Sequence, residues 1–181
     1  MTLSSGQDNL PFMTDSKQEA WLRGPIEGVP PLLQGVALGL THSAEEVHHA
    51  IEGLSPEQLT SRPANVASIA FHVRHIVGAL DRLLTYGRGE LLSTEQRSAL
   101  KAETGADDPS VTADSLGSHL DSGIARAITE LRRIDENVLA APRFVGRAQL
   151  PSTVIGLLSH AAEHTARHTG QIVTMSKVVR S

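Results

Sequence analysis

Four long segments of this sequence repeat apolar residues at intervals of three and four, and this spacing constrains the fold more than any other feature. It is the spacing of one face of an α-helix. We therefore expect four amphipathic helices, over residues 30–52, 67–86 and 112–139 and from residue 151 towards the C-terminus. The apolar stripe of the third consists of Leu116, Leu120, Ile124, Ile128, Leu131 and Ile134.

Signals for a β-sheet are weak by comparison. Val66 and the pair Phe144-Val145 are too short to predict strands, and no two-residue hairpin turn is recognisable. Only five residues are aromatic, so the core is built mainly from Leu, Ile, Val and Ala. The pattern predicts an all-α fold, a four-helix bundle.

The segment between the second and third predicted helices is long and polar. Ser93-Thr-Glu-Gln96 has the pattern of a capping box, which predicts a short helix. Gly105 to Pro109 is rich in turn-forming residues. We therefore expect a long crossover between helices two and three instead of a tight turn. Ser55-Pro56 predicts a single helical turn within the first connection.

A chain of 181 residues has the usual size of one domain. Residues 1–28 are polar and interrupted by Pro and Gly, so we expect a partly ordered N-terminal arm with Trp21-Leu22 as its only strong apolar anchor. Residues 29–181 are expected to form the bundle domain. The first residues lack the basic and apolar regions of a signal peptide, and no window approaches about 18 consecutive apolar residues. These features predict a cytoplasmic protein.

The composition narrows the classes of partner. The net charge is −4, with 16 basic and 20 acidic residues and no basic block, so we expect neither a nucleic-acid partner nor a membrane partner. Small molecules and proteins remain as expected partners. The chain has no cysteine, so a metal site would have to use His, Asp or Glu. Imidazole ligands suit zinc, nickel or iron.

Three histidines, His160, His164 and His168, recur four residues apart in the last predicted helix. Residues four apart lie about 40° apart around a helix and about 6 Å apart along it, so an adjacent pair can offer two nitrogens to one metal ion. We favour His164 and His168 as this pair over the alternative of two ordinary hydrogen-bonded histidines. Catalytic metal sites usually need a third protein ligand. The second predicted helix offers His72 and His75, and its periodicity slightly favours His72.

Two histidine segments together resemble a known family. The run Ser68-Ile-Ala-Phe-His-Val-Arg-His75-Ile-Val, followed downstream by His164-x3-His168-Thr-Gly-Gln171-Ile172, is similar to the DinB-like (YfiT-like) superfamily of four-helix metal-binding proteins. The resemblance covers about residues 30–178. It implies one divalent metal ion, commonly zinc or nickel, bound by three histidines. Matched motif by motif, the implied ligands are His75, His164 and His168.

The same resemblance implies a class of function. The superfamily contains thiol-dependent S-transferases and isomerases that use a low-molecular-weight thiol, which is bound at the metal. We therefore expect a homodimeric enzyme that acts on a small molecule, either an S-transferase of this kind or a hydrolase, with a metal-bound thiolate or hydroxide as the reactive group. Arg167 and Ala67-Ser68 depart from the commonest family pattern, which leaves the pocket and the substrate undefined.

Two alternatives to an enzyme stay open at this point. One is a non-catalytic metal-binding or stress-response module. The other is a helical bundle without metal, whose histidines affect stability near pH 6. An open fourth coordination position favours the enzyme, whereas closure by His160 or by a carboxylate favours the module.

The other polar residues of these segments receive weaker assignments. His160 fits a pocket-lining group, a support for the metal ligands or a core residue, and His72 is expected to hydrogen-bond an acceptor. Gln171 fits a hydrogen bond either to a metal ligand or to a neighbouring helix. The order Glu163-His164 is wrong for the helical HExxH motif of metallopeptidases. We expect ordinary helix-end, solvated or core-edge histidines at His42, His48, His49 and His119.

Overall fold

The computed structural model describes residues 18–181, and this part of the chain contains six α-helices and one two-stranded sheet. The helices are α1 (Gln34–Ile51), α2 (Pro56–Thr60), α3 (Ile69–Gly87), α4 (Thr94–Ala102), α5 (Ala113–Leu131) and α6 (Val154–Val178). The strands β1 (Pro142–Val145) and β2 (Leu150–Thr153) form an antiparallel hairpin between α5 and α6.

Capping residues set the start of three long helices. Ser68, Thr112 and Thr153 immediately precede α3, α5 and α6, and each side chain accepts a hydrogen bond from a backbone N–H group in the first turn. Such caps satisfy donors that the first turn of a helix leaves free. The capping box predicted at Ser93 and Gln96 is present at the start of α4.

The long helices α1, α3, α5 and α6 form the bundle, in which α1 and α3 each pack against both α5 and α6. α3 and α5 run in the same direction, because Val77 lies against Gly123 and the Arg88 side chain binds Glu130 near the C-terminal ends of both helices. α3 and α6 run in opposite directions, since His75 meets His164 and His72 meets His168. The all-α four-helix bundle predicted from the sequence is confirmed.

The long connection between α3 and α5 follows from their parallel packing. Two parallel neighbours cannot be joined by a tight turn, so residues 88–112 return along α3. The return path is marked by hydrogen bonds from the Gln96 amide to Asp81 (2.7 Å), between Glu103 and His75 (2.8 Å) and from the Ser68 hydroxyl to Asp107 (2.6 Å). The predicted crossover therefore exists, and it brings polar residues of a distant segment beside the middle of α3.

Aliphatic side chains fill the core, as the low aromatic content predicts. Each fully buried Leu or Ile stabilises the fold by about 1.5–3 kcal/mol relative to an exposed one. Core residues with an exposed fraction below 2% include Leu33, Leu40, Ile76, Leu120, Leu131, Leu158 and Ile172.

The third bundle helix is shorter than the sequence pattern predicts. α5 ends at Leu131 instead of continuing to residue 139, and Glu136–Val138 form a separate 3-10 turn. The Asp135 side chain accepts a hydrogen bond from the Asn137 N–H group, which offers the backbone an alternative to the helix. Ile134 still packs against the core. Its place in the apolar stripe reflects burial and not helical structure.

The prediction that the chain has no sheet is wrong for the segment before α6. Pro142–Val145 pairs with Leu150–Thr153 through a four-residue loop, in which Gly146 and Gln149 have φ values of 67° and 51°. Each strand has only four residues, and Phe144 and Leu150 remain at least half exposed, so the apolar residues of the hairpin do not mark a buried face. Because Pro151 and Ser152 belong to β2, the last helix begins at Val154 and not at residue 151.

The N-terminal arm is described only in part, since residues 1–17 lie outside the described residues. Ala20–Leu22 form a 3-10 turn, and Arg23 forms an ion pair with Glu45 of α1 (2.6 Å). Trp21 and Leu22 are 61% and 53% exposed whereas Ala20 is buried, so the expected Trp21-Leu22 anchor is wrong. Between residues 18 and 181, no helix has both the length and the apolar content needed to cross a bilayer.

Candidate metal centre

Antiparallel packing of α3 on α6 brings His75, His164 and His168 together, and we call these three residues the histidine triad. Each offers one nitrogen atom, and these atoms all lie within 4.8 Å of one another. The Nε2 atoms of His75 and His164 are 3.0 Å apart. Within residues 18–181, no other group of His, Asp or Glu side chains meets this condition.

The third member of the triad is His75, although helical periodicity alone slightly favours His72. The His72 ring is 7% exposed, and its Nδ1 atom lies 2.9 Å from Nδ1 of His168. One of these two atoms donates a proton and the other accepts it. For the Nε2 atom of His168 to bind a metal ion, its Nδ1–H group must donate this bond and Nδ1 of His72 must accept it. His72 then orients the His168 ring as an acceptor, and not as the donor that the sequence interpretation expects.

A carboxylate that the sequence interpretation missed supports His75. Glu103, which follows α4, lies 2.8 Å from Nδ1 of His75 and also binds the guanidinium of Arg82. The side chains of Glu103 and Arg82 are each 11% exposed. His75 donates its Nδ1 proton to this carboxylate, so its Nε2 atom carries the free lone pair that a metal requires.

The position of α3 against the crossover also depends on a glycine. Gly78 lies one turn after His75, and a Cβ atom at this position would overlap the Glu103 carboxylate and approach Arg82 to 2.8 Å. Glycine therefore leaves the space in which Glu103 reaches His75. The sequence alone places Gly78 on the polar face of its helix and gives no sign of this role.

Burial lowers the pKa of three histidines at this site, His72, His164 and His168. It lowers the pKa of His72 to about 4 and that of His164 to about 4, and in both cases the nearby rings of His168 and His75 lower the pKa further. The pKa of His168 is lowered as well, mainly by burial, although a hydrogen bond with Gln171 opposes this shift. Neutral imidazole is the form that binds a metal ion.

These donors fit a divalent metal ion. Nitrogen ligands that lie about 2.0–2.1 Å from one tetrahedral metal are about 3.3 Å from one another, close to the 3.0 Å between His75 and His164. The Nδ1 atom of His164 is buried without a hydrogen-bond partner among the described residues. The contact of its Nε2 atom with His75 is therefore the polar contact that the described residues give this ring. Three neutral imidazoles and no carboxylate form a donor set suited to zinc or nickel.

Two members of the triad, His75 and His164, lie in the wall of a cleft of about 250 Å³, which we call the metal cleft. Apolar residues of α3 and of the crossover make up most of the wall. The complete lining is His75, Ala79, Arg82, Leu83, Tyr86, Leu92, Leu100, His160 and His164. The metal position is thus accessible from one side of the bundle.

His160 does not join the triad, although it lies one helical turn before His164. Its side chain is half exposed, and its Nδ1 atom lies 3.3 Å from the Glu163 carboxylate. Glu163 in turn forms an exposed ion pair with Arg167. Among the described residues, neither His160 nor a carboxylate belongs to the group that could hold a metal ion. Neither therefore closes a fourth coordination position.

The remaining histidines lie away from the triad. His48 belongs to the last turn of α1 and pairs with Asp121 of α5 (2.8 Å), and His49 is exposed beside it. His42 is half-buried on α1, 3.9 Å from Glu46. His119 is exposed on α5. These are the helix-end, solvated and core-edge positions expected for the four histidines.

Comparisons with known proteins agree with the fold. A family model described as the DinB superfamily matches residues 40–172. A solved structure described as the conserved protein of locus from Enterococcus faecalis is similar, with a TM-score of 0.63 and 18% sequence identity over 82% of this chain and 96% of that chain. At this identity the similarity shows the fold alone. No curated protein sequence matches the chain.

Proposed function

This chain belongs to the DinB superfamily, and we propose that it is a metal-dependent enzyme that transfers a low-molecular-weight thiol to a small electrophilic substrate. One observation carries the proposal. The triad presents three nitrogens within 4.8 Å of one another, and two of its rings lie in the wall of an open cleft. Structural metal sites are usually closed by four protein ligands, whereas catalytic sites keep a position for water or substrate.

The choice of metal and co-substrate follows from the donors and from the family resemblance. Zinc and nickel both accept imidazole ligands, and a chain without cysteine has no competing thiolate of its own. A bound divalent metal supplies a Lewis acid that lowers the pKa of a thiol or of water, which favours the nucleophilic form at neutral pH. The resemblance to thiol-dependent members of the superfamily supports the thiol over water.

The residues of this chain prepare the site for that chemistry. Glu103 holds the proton of His75 on Nδ1, and His72 fixes the orientation of the His168 ring. Arg82 neutralises Glu103 and holds it in place. The leucines of the metal cleft give it an apolar wall beside His75 and His164.

In the proposed reaction the sulfur of the thiol attacks an electrophilic carbon atom. The C–S bond forms while the bond from that carbon to the leaving group breaks, and the leaving group departs with the electron pair. The thiol proton passes to the solvent. No oxidant or reductant is needed.

The proposal is tested with monochlorobimane, an uncharged electrophile that releases chloride and becomes fluorescent when it forms a thioether. Protein loaded with zinc or with nickel is mixed with cysteine, N-acetylcysteine, glutathione or coenzyme A in separate reactions. We expect at least one pair to react faster than the uncatalysed mixture. His168→Ala should abolish this acceleration, and His49→Ala, at an exposed histidine outside the site, should preserve it.

The same assay separates the enzyme from the alternative of a non-catalytic metal-binding module. Protein that takes up metal through the triad but accelerates none of these reactions would contradict the transferase proposal and support the module. Acceleration that survives His168→Ala would place the reaction outside the triad and would also contradict the proposal.

A further inference from the structure

The metal cleft extends away from the triad along α3. Ala79, Leu83 and Tyr86 follow His75 at intervals of three and four residues, so they line one face of the helix beyond the metal position. Leu92 and Leu100 of the crossover also line the cleft. The cleft is therefore a mainly apolar channel, and two members of the triad, His75 and His164, lie in its wall.

No unpaired charge lines this channel. Arg82 is 11% exposed and is bound to Glu103, which also binds His75. His160 pairs with Glu163, whose carboxylate also binds Arg167. Among the described residues the lining contains no Asp, Glu or Lys. Beyond the metal position, a charged molecule that entered the channel would therefore lose hydration without gaining an ion pair from the lining.

One uncharged polar group remains free in the channel. The Tyr86 side chain is half-buried, and no described residue hydrogen-bonds its hydroxyl group. A phenol hydroxyl can both donate and accept a hydrogen bond. It therefore provides a single point of polar recognition in an otherwise apolar wall.

The crossover contributes apolar surface that the protein itself does not cover. α4 has no buried residue, and the Leu100 side chain is 42% exposed although it faces the cleft. A molecule seated in the channel would remove this apolar surface from water, which favours binding. The volume of about 250 Å³ lies just below the usual range of 300–1,000 Å³ for ligand pockets, which limits the occupant to a small molecule.

We propose that the metal cleft binds the electrophilic substrate, and that this substrate is a small, uncharged and mainly apolar molecule whose one polar group hydrogen-bonds Tyr86. This inference rests on the proposed function, because it assigns the second reactant of that reaction. Thiols that carry carboxylate or ammonium groups do not fit the channel, so only their sulfur is expected to approach the triad and their charged parts stay outside it.

Binding of three probes of similar size tests the charge selectivity. Benzyl alcohol, benzoate and benzylammonium are titrated into the full-length, metal-free protein, and binding is followed by protein NMR. Metal-free protein is used because benzoate would otherwise coordinate the metal. We expect benzyl alcohol to bind at least tenfold more tightly than either charged probe. Equal binding of a charged probe, or no binding of benzyl alcohol, would overturn the assignment.

Three variants locate the binding. Leu100→Glu should weaken benzyl alcohol binding at least fivefold, whereas Leu91→Glu, at a 74% exposed leucine of the same crossover, should leave it unchanged. Tyr86→Phe should weaken benzyl alcohol binding about two- to tenfold, as expected for one hydrogen bond, and leave toluene binding unchanged. Binding that is insensitive to both Leu100→Glu and Tyr86→Phe would place the probe elsewhere and overturn the proposal.

Metal uptake, measured separately, distinguishes the two proposals. Protein that takes up zinc but does not bind benzyl alcohol overturns the substrate assignment and leaves the metal centre intact. Protein that binds benzyl alcohol in the metal cleft but takes up no zinc contradicts the proposed function, and it leaves the cleft as an apolar binding site without an assigned reaction.

Discussion

At the scale of single residues, the Glu103 carboxylate has a defined influence on the triad. It fixes the proton of His75 on Nδ1 and is itself held by Arg82. We expect Glu103→Gln to weaken zinc binding by about 10–100-fold, the usual cost of losing the hydrogen-bond partner of a metal ligand. Competition with a chromogenic chelator measures this change.

The control for this variant is Glu163→Gln. Glu163 is next to His164 in sequence, but its side chain is about half exposed and pairs only with His160 and Arg167. The variant removes the same charge and should leave zinc affinity unchanged. Equal affinities of the two variants would show that Glu103 does not support His75.

A second residue-scale prediction concerns the space next to His75. Gly78→Ala adds a Cβ atom where the Glu103 carboxylate lies. Because the flexible Glu103 side chain can move aside, we expect weaker zinc binding, of the same order as in Glu103→Gln, without loss of folding stability. Gly170→Ala in α6, where a Cβ meets nothing within 4 Å, should stabilise the protein by about 0.5–1 kcal/mol and preserve affinity. Unchanged zinc affinity in Gly78→Ala would contradict this account.

The sequence could identify only part of the site at this scale. The spacing of His164 and His168 is a local property of one helix, and it predicts that the two side chains share a face. The choice between His72 and His75 depends on which ring meets α6, and that is a tertiary property. A helical wheel slightly favours His72, and only the family resemblance selects His75. Glu103 is 28 residues from His75 in the chain, so nothing local connects them.

At the scale of elements, the return of the crossover to the start of α3 depends on Asp107. Its side chain is 4% exposed and accepts hydrogen bonds from the Ser68 hydroxyl (2.6 Å) and the Arg74 guanidinium (2.6 Å). Burial raises the pKa of Asp107, but hydrogen bonds from Ser68 and from the guanidinium of Arg62 outweigh this effect, so its pKa is lowered. The charged carboxylate therefore anchors the crossover at neutral pH.

We expect Asp107→Ala to lower the free energy of unfolding by about 2 kcal/mol, the typical value for hydrogen bonds to a charged group. The partly exposed Arg62 and Arg74 regain hydration when Asp107 is removed, which keeps the loss moderate. Asp108→Ala is the matched control, because Asp108 is exposed and bonds only Ser110. Urea denaturation at pH 7 measures both variants, and equal stabilities would show that Asp107 does not anchor the crossover.

At two places in the chain, the apolar periodicity predicts the secondary structure incorrectly. The apolar stripe of the third bundle helix continues through Ile134, yet the helix ends at Leu131, because Asp135 bonds the backbone of its own turn. The hairpin at Pro142–Val145 escapes detection because its strands are short and expose Phe144 and Leu150. Caps such as Ser93 and Gln96 are local and were predictable.

At the scale of the whole molecule, the buried histidines make stability depend on pH. The pKa values of His72 and His164 are about 4 in the folded protein, below the ordinary value of 6.5. Between these values the unfolded chain binds more protons than the folded chain, so acidification favours unfolding. We expect the thermal midpoint of metal-free protein to fall as the pH decreases from about 6.5 towards 4. A midpoint that stays constant through this window would contradict the burial of neutral histidines.

The arrangement of the bundle explains why a metal site can form between distant segments. Parallel packing of α3 and α5 requires a crossover that passes α3 again, and this passage brings Glu103 to His75. The four amphipathic stripes predict the bundle, and the long polar segment predicts the crossover. Which side chains of the crossover and of α3 meet depends on the directions of the helices, and the apolar stripes do not specify these directions.

The central claim, that the triad binds one divalent metal ion, is tested most directly by metal content. Wild-type protein, His75→Ala, His168→Ala and the control His49→Ala are incubated with Zn²⁺ or Ni²⁺, freed of excess metal and analysed by mass spectrometry. We expect about one equivalent of metal in the wild type and in His49→Ala, and almost none in the two triad variants. Wild-type protein that retains neither metal, or triad variants that retain as much as the wild type, would contradict the claim.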